Sequence, residues 1–179
     1  NPVLQRPVEP RLFTSLHIPE ADDLASFADE LRVLHERDGL TFCADISPLT
    51  LERLGVGLDE VGVLRDWGIR WVRIDFGFDV DQIARIAEVG DFLIALNAST
   101  VSDVELDALA GIPLVGWHNY YPRPETGLSV EFVRRQNALF TARGLDVFAF
   151  VPGERTFRAP LHLGLPMLEE QRHRNAYVN

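Results

Sequence analysis

A chain of 179 residues, 46% hydrophobic and 25% charged, is long and apolar enough for one well-buried core, and 13 Gly with 11 Pro is too little for a low-complexity or disordered chain. The formal net charge of -10 disfavours nucleic acid as a partner, because affinity for a phosphate backbone needs a basic face; all 17 Lys and Arg positions are Arg. The single cysteine, Cys43, cannot form an internal disulfide, which fits a reducing compartment, and no apolar segment approaches the length of a membrane span.

Residues 1–10 hold three prolines and read as an irregular lead-in, too polar for a signal peptide. With no initiator Met, the chain is expected to be a fragment or a processed product. Residues 11–16 are a β-prone run, followed by His17-Ile18-Pro19-Glu20. Helical spacing over 21–37 puts Leu24, Phe27, Leu31 and Leu34 on one stripe, with Asp22 and Asp23 suited to its first turn and Gly39 to its end. A strand over 40–44 ends at Asp45-Ile46-Ser47-Pro48, and short helical segments are expected over 50–54 and 60–67, the second stopped by Gly68. Residues 69–74 form a strand ending at Asp75-Phe76-Gly77, and a helix over 80–89 stops at Gly90. The next strand, 92–96, ends at Asn97-Ala98-Ser99-Thr100. Ser102 with Glu105 three residues on is a capping box that starts a helix to about residue 110.

The apolar run Leu114-Val115-Gly116-Trp117 then releases His118, Asn119, Tyr120, Tyr121, Arg123 and Glu125 in quick succession, with Pro122 and Pro124 stiffening the backbone. Ser129 caps a helix to about residue 143. Residues 147–151 are a sixth strand ending at Pro152-Gly153-Glu154, 159–168 an apolar loop, and 169–177 a last helical segment.

This is strand then helix, six times. Short, apolar, non-alternating strands imply burial on both faces and a parallel sheet. The polar residues Glu20, Asp45, Asp75, Asn97, His118 and Glu154 fall just after successive strands, 21 to 36 residues apart. That is the βα spacing of a TIM-type barrel, whose active site is built on the C-terminal strand ends, whereas a doubly wound sheet gathers its site at one switch point. The fold class is therefore α/β, a TIM-type barrel over residues 11–179. It is incomplete, since eight units typically need about 250 residues.

Four carboxylates, Glu20, Asp45, Asp75 and Glu154, would face one mouth. One carboxyl acting as acid and one ionised partner are the minimal machinery for hydrolysing a glycosidic bond. Asp75 and Glu20 are the preferred pair, with Asp45 and Glu154 as substitutes; capping of the following helices is the competing role. Asn97, His118 and Asn119 could orient a sugar, Tyr121 or Tyr120 could stack on its ring, and His17 and Glu125 complete the set. Arg123 and Arg155, with Arg158 behind them, could clamp a phosphate or carboxylate bidentately. His17, His118 and His162 could combine with Asp as metal ligands, but no HxH or HExxH occurs, so neither metal nor cofactor is expected. No GxGxxG, P-loop, CxxC or GxSxG is present, which counts against nucleotide, zinc-ribbon and serine-hydrolase chemistry.

The segments FTSLHIPE (13–20), DISP (45–48), RIDFGF (73–78), LNAST (96–100), WHNYYPRPETGLS (117–129), FVPGE (150–154) and GLPMLEE (164–170) together resemble the MupG family. The resemblance implies an N-terminal TIM-like barrel followed by a cyclophilin-like domain. It also implies a cytoplasmic bacterial enzyme that splits 6-phospho-N-acetylmuramic acid from N-acetylglucosamine in cell-wall recycling. Against that pattern, the first strand, the last barrel strand and the second domain are expected to be absent, and Met167 stands where Thr is expected. The partner is then a phosphorylated amino-sugar disaccharide, not nucleic acid or membrane, and exposed strand edges would favour homo-oligomers. Two alternatives remain: a non-catalytic sugar-phosphate binding or sensing protein on the same scaffold, and a metal-dependent barrel hydrolase.

Overall fold

A computed structural model describes residues 11–16, 24–121, 123–150 and 167–171. Six strands alternate with helices in an α/β fold of the incomplete TIM-barrel type, and the strand order follows the chain order. The chain divides into two compact units, Asn1–Ile94 and Ala95–Asn179. Among the described residues no helix is long and apolar enough to cross a membrane.

The first unit opens with strand β1 (Arg11–Ser15), helix α1 (Leu24–Asp38) and strand β2 (Thr41–Ile46). Leu24, Ala28 and Leu31 of α1 are buried, while Phe27 and Leu34 of the expected stripe are half-buried at its margin. Helix α2 (Pro48–Leu54) begins two residues earlier than its apolar run suggested. Ser47 caps it reciprocally with Thr50, and Pro48 sits in the first turn, where its missing N–H costs nothing. Leu58–Trp67 winds as a 3-10 helix, and Gly68, at φ 82°, ends it. Only a glycine suits that left-handed position, because a Cβ would also come within 2.8 Å of the His35 ring.

Strand β3 (Ile69–Ile74) and helix α3 (Val80–Gly90) complete the unit, α3 being capped by Asp79 with Gln82. Strands β1 and β2 pair in parallel with Phe13 opposite Cys43 and Ser15 opposite Asp45, and β2 pairs in parallel with β3 with Cys43 opposite Trp71 and Asp45 opposite Arg73. Cross-strand neighbours share a face. One face of this unit therefore carries the rows Phe13–Cys43–Trp71 and Ser15–Asp45–Arg73, the second at the C-terminal strand ends. On the other face Ala44, Ile46, Val72 and Ile74 are buried in the core with Val61, Leu64, Ile83 and Ile86. Cys43, on the first face between Phe13 and Trp71, is also buried, as its apolar flanks imply.

Strand β4 (Leu93–Leu96) spans the division between the units. The second unit continues with α4 (Asp103–Ala108), β5 (Leu114–Trp117), α5 (Val130–Thr141) and β6 (Val147–Phe148). The Ser102–Glu105 capping box forms as its sequence pattern requires, and Glu105, accepting from the Ser102 hydroxyl and backbone N–H, is held below its ordinary carboxylate pKa. Ser129 caps α5 through the Phe132 N–H. Gly116 is required by packing, since a Cβ there would press to 3.0 Å on the ring of Phe140, which α5 buries against β5. Arg143, just past α5, reaches Asp103 and Asp107 and ties the helix end to α4.

The sixth strand is shorter than expected, ending at Phe148 because its ladder with β5 covers only Gly116–Val147 and Trp117–Phe148. The last helical segment is a single 3-10 turn, Glu169–Gln171, within the described residues.

Candidate functional site

The Ser15–Asp45–Arg73 row and Asp75 form the chemical centre of the first unit. Arg73 is only 1% exposed, lying in strand β3 among the apolar Trp71, Val72 and Ile74. Its Nη1 donates to Asp45 Oδ1 at 2.9 Å and to Asp75 Oδ1 at 3.3 Å. A buried cation must be paired, and here one nitrogen serves two carboxylates that remain in contact with water, with side chains 15% and 24% exposed. Asp45 and Asp75 are adjacent because β2 and β3 are in register at Asp45–Arg73 and the Asp75 N–H continues the ladder to the Ile46 carbonyl. Neither caps a helix; Ser47 and Asp79 do that work. Gly77, at φ 84°, turns the chain away immediately after Asp75, with Pro48 close beneath it.

Among the described residues, Nε and Nη2 of Arg73 are buried without a hydrogen-bond partner, and so is Oγ of Ser15 in the same row. Arg73 was not among the candidates read from the sequence. The available signal was an arginine flanked by the apolar Trp71, Val72 and Ile74, since a charged residue in such a run is almost never buried unpaired.

His118 follows β5 and is 1% exposed. By alternation from Gly116 its side chain faces α5, where Nε2 donates to Asn137 Oδ1 at 2.7 Å, and Nδ1 accepts from the Ser99 hydroxyl at 2.9 Å. Burial pushes its pKa down from the ordinary 6.5, partly opposed by the Asn137 bond, so the neutral ring is favoured. With both nitrogens engaged inside the protein, His118 ties the loop after β4 to α5. Asn97 is half-buried and its Oδ1 accepts from the Ser99 N–H at 3.0 Å, shaping the same loop.

Asn119 folds its amide onto the N–H of Tyr120, whose ring stacks edge-on with Phe150 at 5.1 Å. Tyr121 is half-buried, while Arg123 and Glu125 are exposed. Glu125 holds the left-handed backbone at φ 64°, and its N–H and that of Gly127 are both accepted by the Glu169 carboxylate, at 2.9 and 2.8 Å. A parallel bridge between Leu128 and Leu168 continues this fastening. Glu169 was not foreseen as a partner of this loop, because the contact joins residues more than forty positions apart.

Thus Asp45 and Asp75 come together in the first unit, and Asn97 and His118 in the second. His17, Glu20, Glu154, Arg155, Arg158 and His162 lie outside the described residues. Among the described residues no group of three or more His, Cys, Asp and Glu side chains is placed to hold a metal ion.

Residues 9–179 match the family described as 6-phospho-N-acetylmuramidase, N-terminal. No curated protein matches the chain. Among solved structures it is similar to a conserved protein of unknown function from Enterococcus faecalis, with 36% identity, a TM-score of 0.77, and 90% of this chain covering 46% of that one. It is also similar to an uncharacterized B. cereus protein, with 25% identity, a TM-score of 0.66, and 91% of this chain covering 46% of that one. The chain therefore spans about half the length of each solved structure it matches.

Proposed function

The chain belongs to the 6-phospho-N-acetylmuramidase family, as its N-terminal domain, and from that premise we propose that it carries the hydrolytic centre of a glycosidase that splits 6-phospho-N-acetylmuramic acid from N-acetylglucosamine. The observation that carries this reading is the pair Asp45 and Asp75, both bound to one buried Arg73 at the C-terminal strand ends. Barrel enzymes place their chemistry at that end.

Asp45 and Asp75 share one cation, so neither is given the acid's part, and the carboxyl separation that distinguishes retaining from inverting glycosidases is the one between Asp75 and a further carboxyl. Asp75, the more exposed, takes the part of nucleophile, attacking the anomeric carbon as its bond to the leaving oxygen breaks. Asp45 steadies the positive charge that develops on the ring. The proton for the leaving oxygen comes from a further carboxyl, for which Glu20 and Glu154 are the candidates. Water, giving a proton back to the carboxyl that protonated the leaving oxygen, then attacks the same carbon and releases Asp75, so one water is consumed per bond cleaved. Arg123 and Arg155 are the proposed contacts for the 6-phosphate or lactyl carboxylate. His17, Asn119, Tyr121 and Glu125 are the proposed sugar contacts, and Asn97 and His118 order the loop after β4. The setting proposed for this reaction is the bacterial cytoplasm, during cell-wall recycling.

The test is incubation with the 6-phosphorylated disaccharide and with its unphosphorylated form, reading products by mass spectrometry. Cleavage of the phosphorylated form alone is expected, falling about 10²- to 10⁴-fold in Asp75→Asn. Full activity in a folded Asp75→Asn would remove Asp75 from the chemistry. Tight binding without cleavage would favour a sugar-phosphate binding protein instead.

A further inference from the structure

The loop after β5 is held by a side chain far from it in sequence. The Glu169 carboxylate accepts the N–H of Glu125 at 2.9 Å through Oε1 and that of Gly127 at 2.8 Å through Oε2. Two backbone N–H groups converging on one anion form a nest, and its occupant here is a carboxylate of the same chain. The fit is close. Gly127 has no room for a Cβ, which would come within 2.6 Å of the Glu169 backbone N and 2.7 Å of its Oε2. The Leu128 N–H donates to the Met167 carbonyl at 2.9 Å, and the Glu169 N–H to the Leu128 carbonyl at 3.3 Å, so backbone bonds flank the carboxylate. Thr126 closes the turn from within, its hydroxyl donating to the Arg123 carbonyl at 2.6 Å.

Glu125 holds φ at 64°, a region that a residue with a side chain keeps only where its surroundings fix it. The charge-assisted bond at its own N–H supplies that hold. The chemistry of the anchor is specific. A carboxylate offers one acceptor oxygen to each N–H, whereas an amide would keep one acceptor and turn an NH₂ group toward the other N–H. We propose that Glu169 is a positioning residue for substrate binding: seated in the nest of Glu125 and Gly127, its carboxylate sets the backbone that carries Arg123 and Glu125. The proposal rests on the reading of those two residues as substrate contacts.

The test compares Glu169→Ala and Glu169→Gln with the wild type, by amide hydrogen exchange and by kinetics on the phosphorylated disaccharide. Exchange at Glu125 and Gly127 should quicken at least about 10-fold in Glu169→Ala, the span of one hydrogen bond to a charged acceptor, and at one of the two amides more than the other in Glu169→Gln. KM should rise about 10-fold with kcat within about twofold, because the loop carries binding groups and neither Asp45 nor Asp75. Glu169→Ala should raise KM less in an Arg123→Ala background, where a residue that it positions is gone. A cavity of about 470 Å³, lined by Gly127, Ser129, Glu131, Glu169 and Glu170, borders the carboxylate. Formate entering the emptied nest should therefore slow exchange and lower KM in Glu169→Ala, and leave the wild type unchanged. Should Glu169→Ala not fold, Glu169→Gln, which keeps the shape, decides by the same exchange and KM readings. Unaltered exchange, faster exchange with unaltered KM, an equal effect in the Arg123→Ala background, or no response to formate would overturn the proposal. Cleavage by the wild type with a KM that neither variant changes sinks this inference and leaves the hydrolase reading intact. Where the wild type binds the disaccharide without cleaving it, weaker binding by both variants in calorimetry does the reverse.

Discussion

Replacing Arg73 by methionine keeps most of the buried volume and removes the charge, which isolates what the cation does for the fold. In the native protein its side chain is 2% exposed and touches Asp45 and Asp75, 15% and 24% exposed. Without it, two carboxylates whose accepting oxygens lie within the 2.9 and 3.3 Å contacts laid end to end repel by roughly 3 kcal/mol or more at an effective dielectric constant of about 20. Breaking a buried pair by removing one partner typically costs about 3–5 kcal/mol. Because both aspartates keep some contact with water, the lower end applies, and Arg73→Met should lose about 3 kcal/mol. At about 2–4 °C per kcal/mol for a chain of this size, Tm should fall by about 6–12 °C, read by calorimetry or circular dichroism at pH 7. The deficit should shrink as pH falls, since a proton taken up by either carboxylate removes the repulsion. Adding Asp45→Asn and Asp75→Asn to Arg73→Met leaves no unpaired charge and should recover about 1–2 kcal/mol. The reasoning is refuted if Arg73→Met costs less than about 1 kcal/mol, or if the two Asn substitutions lower stability further instead of restoring it.

Other perturbations probe the second unit. His118→Ala should cost about 1–3 kcal/mol in urea unfolding, because it leaves the buried Ser99 hydroxyl unpaired and removes the partner of the half-buried Asn137 amide. His118 has its folded pKa below the unfolded 6.5, so its contribution is complete above pH 6.5 and is lost as pH falls through the lower folded value. Wild type should therefore weaken across that window, and His118→Ala should weaken less. Gly127→Ala would drive a Cβ to 2.6 Å from the Glu169 backbone N, so a loss of about 1–3 kcal/mol and faster proteolysis of the 123–129 loop are expected. Ser102→Ala should cost about 1 kcal/mol of thermal stability through the lost cap of α4; an unchanged Tm would mean that the capping box carries no weight.

Much of this protein is legible in its sequence because the signals are local. Apolar runs ended by glycine or polar residues mark the strands and helices, since burial on both faces and the end of a helix are each decided within a few residues. Ser102 and Ser129 declare the starts of α4 and α5 for the same reason. The placement of Asp45 and Asp75 just past β2 and β3 follows from counting along the chain. What counting could not supply is the partner across the sheet. Arg73 meets Asp45 because of the register between β2 and β3, and that register includes an irregularity between Phe42 and Cys43 that no local pattern announces. The two sides of a loop residue were equally hidden: His118 reads as a pocket residue from its polar neighbours, yet the pleat of β5 turns it toward Asn137 on α5. Local propensity determined which elements form and where the polar residues end up along them. Only the tertiary structure decided which of those residues meet, because contacts between strands, and between a loop and a distant turn such as Gly127 with Glu169, depend on packing that no short window of sequence contains.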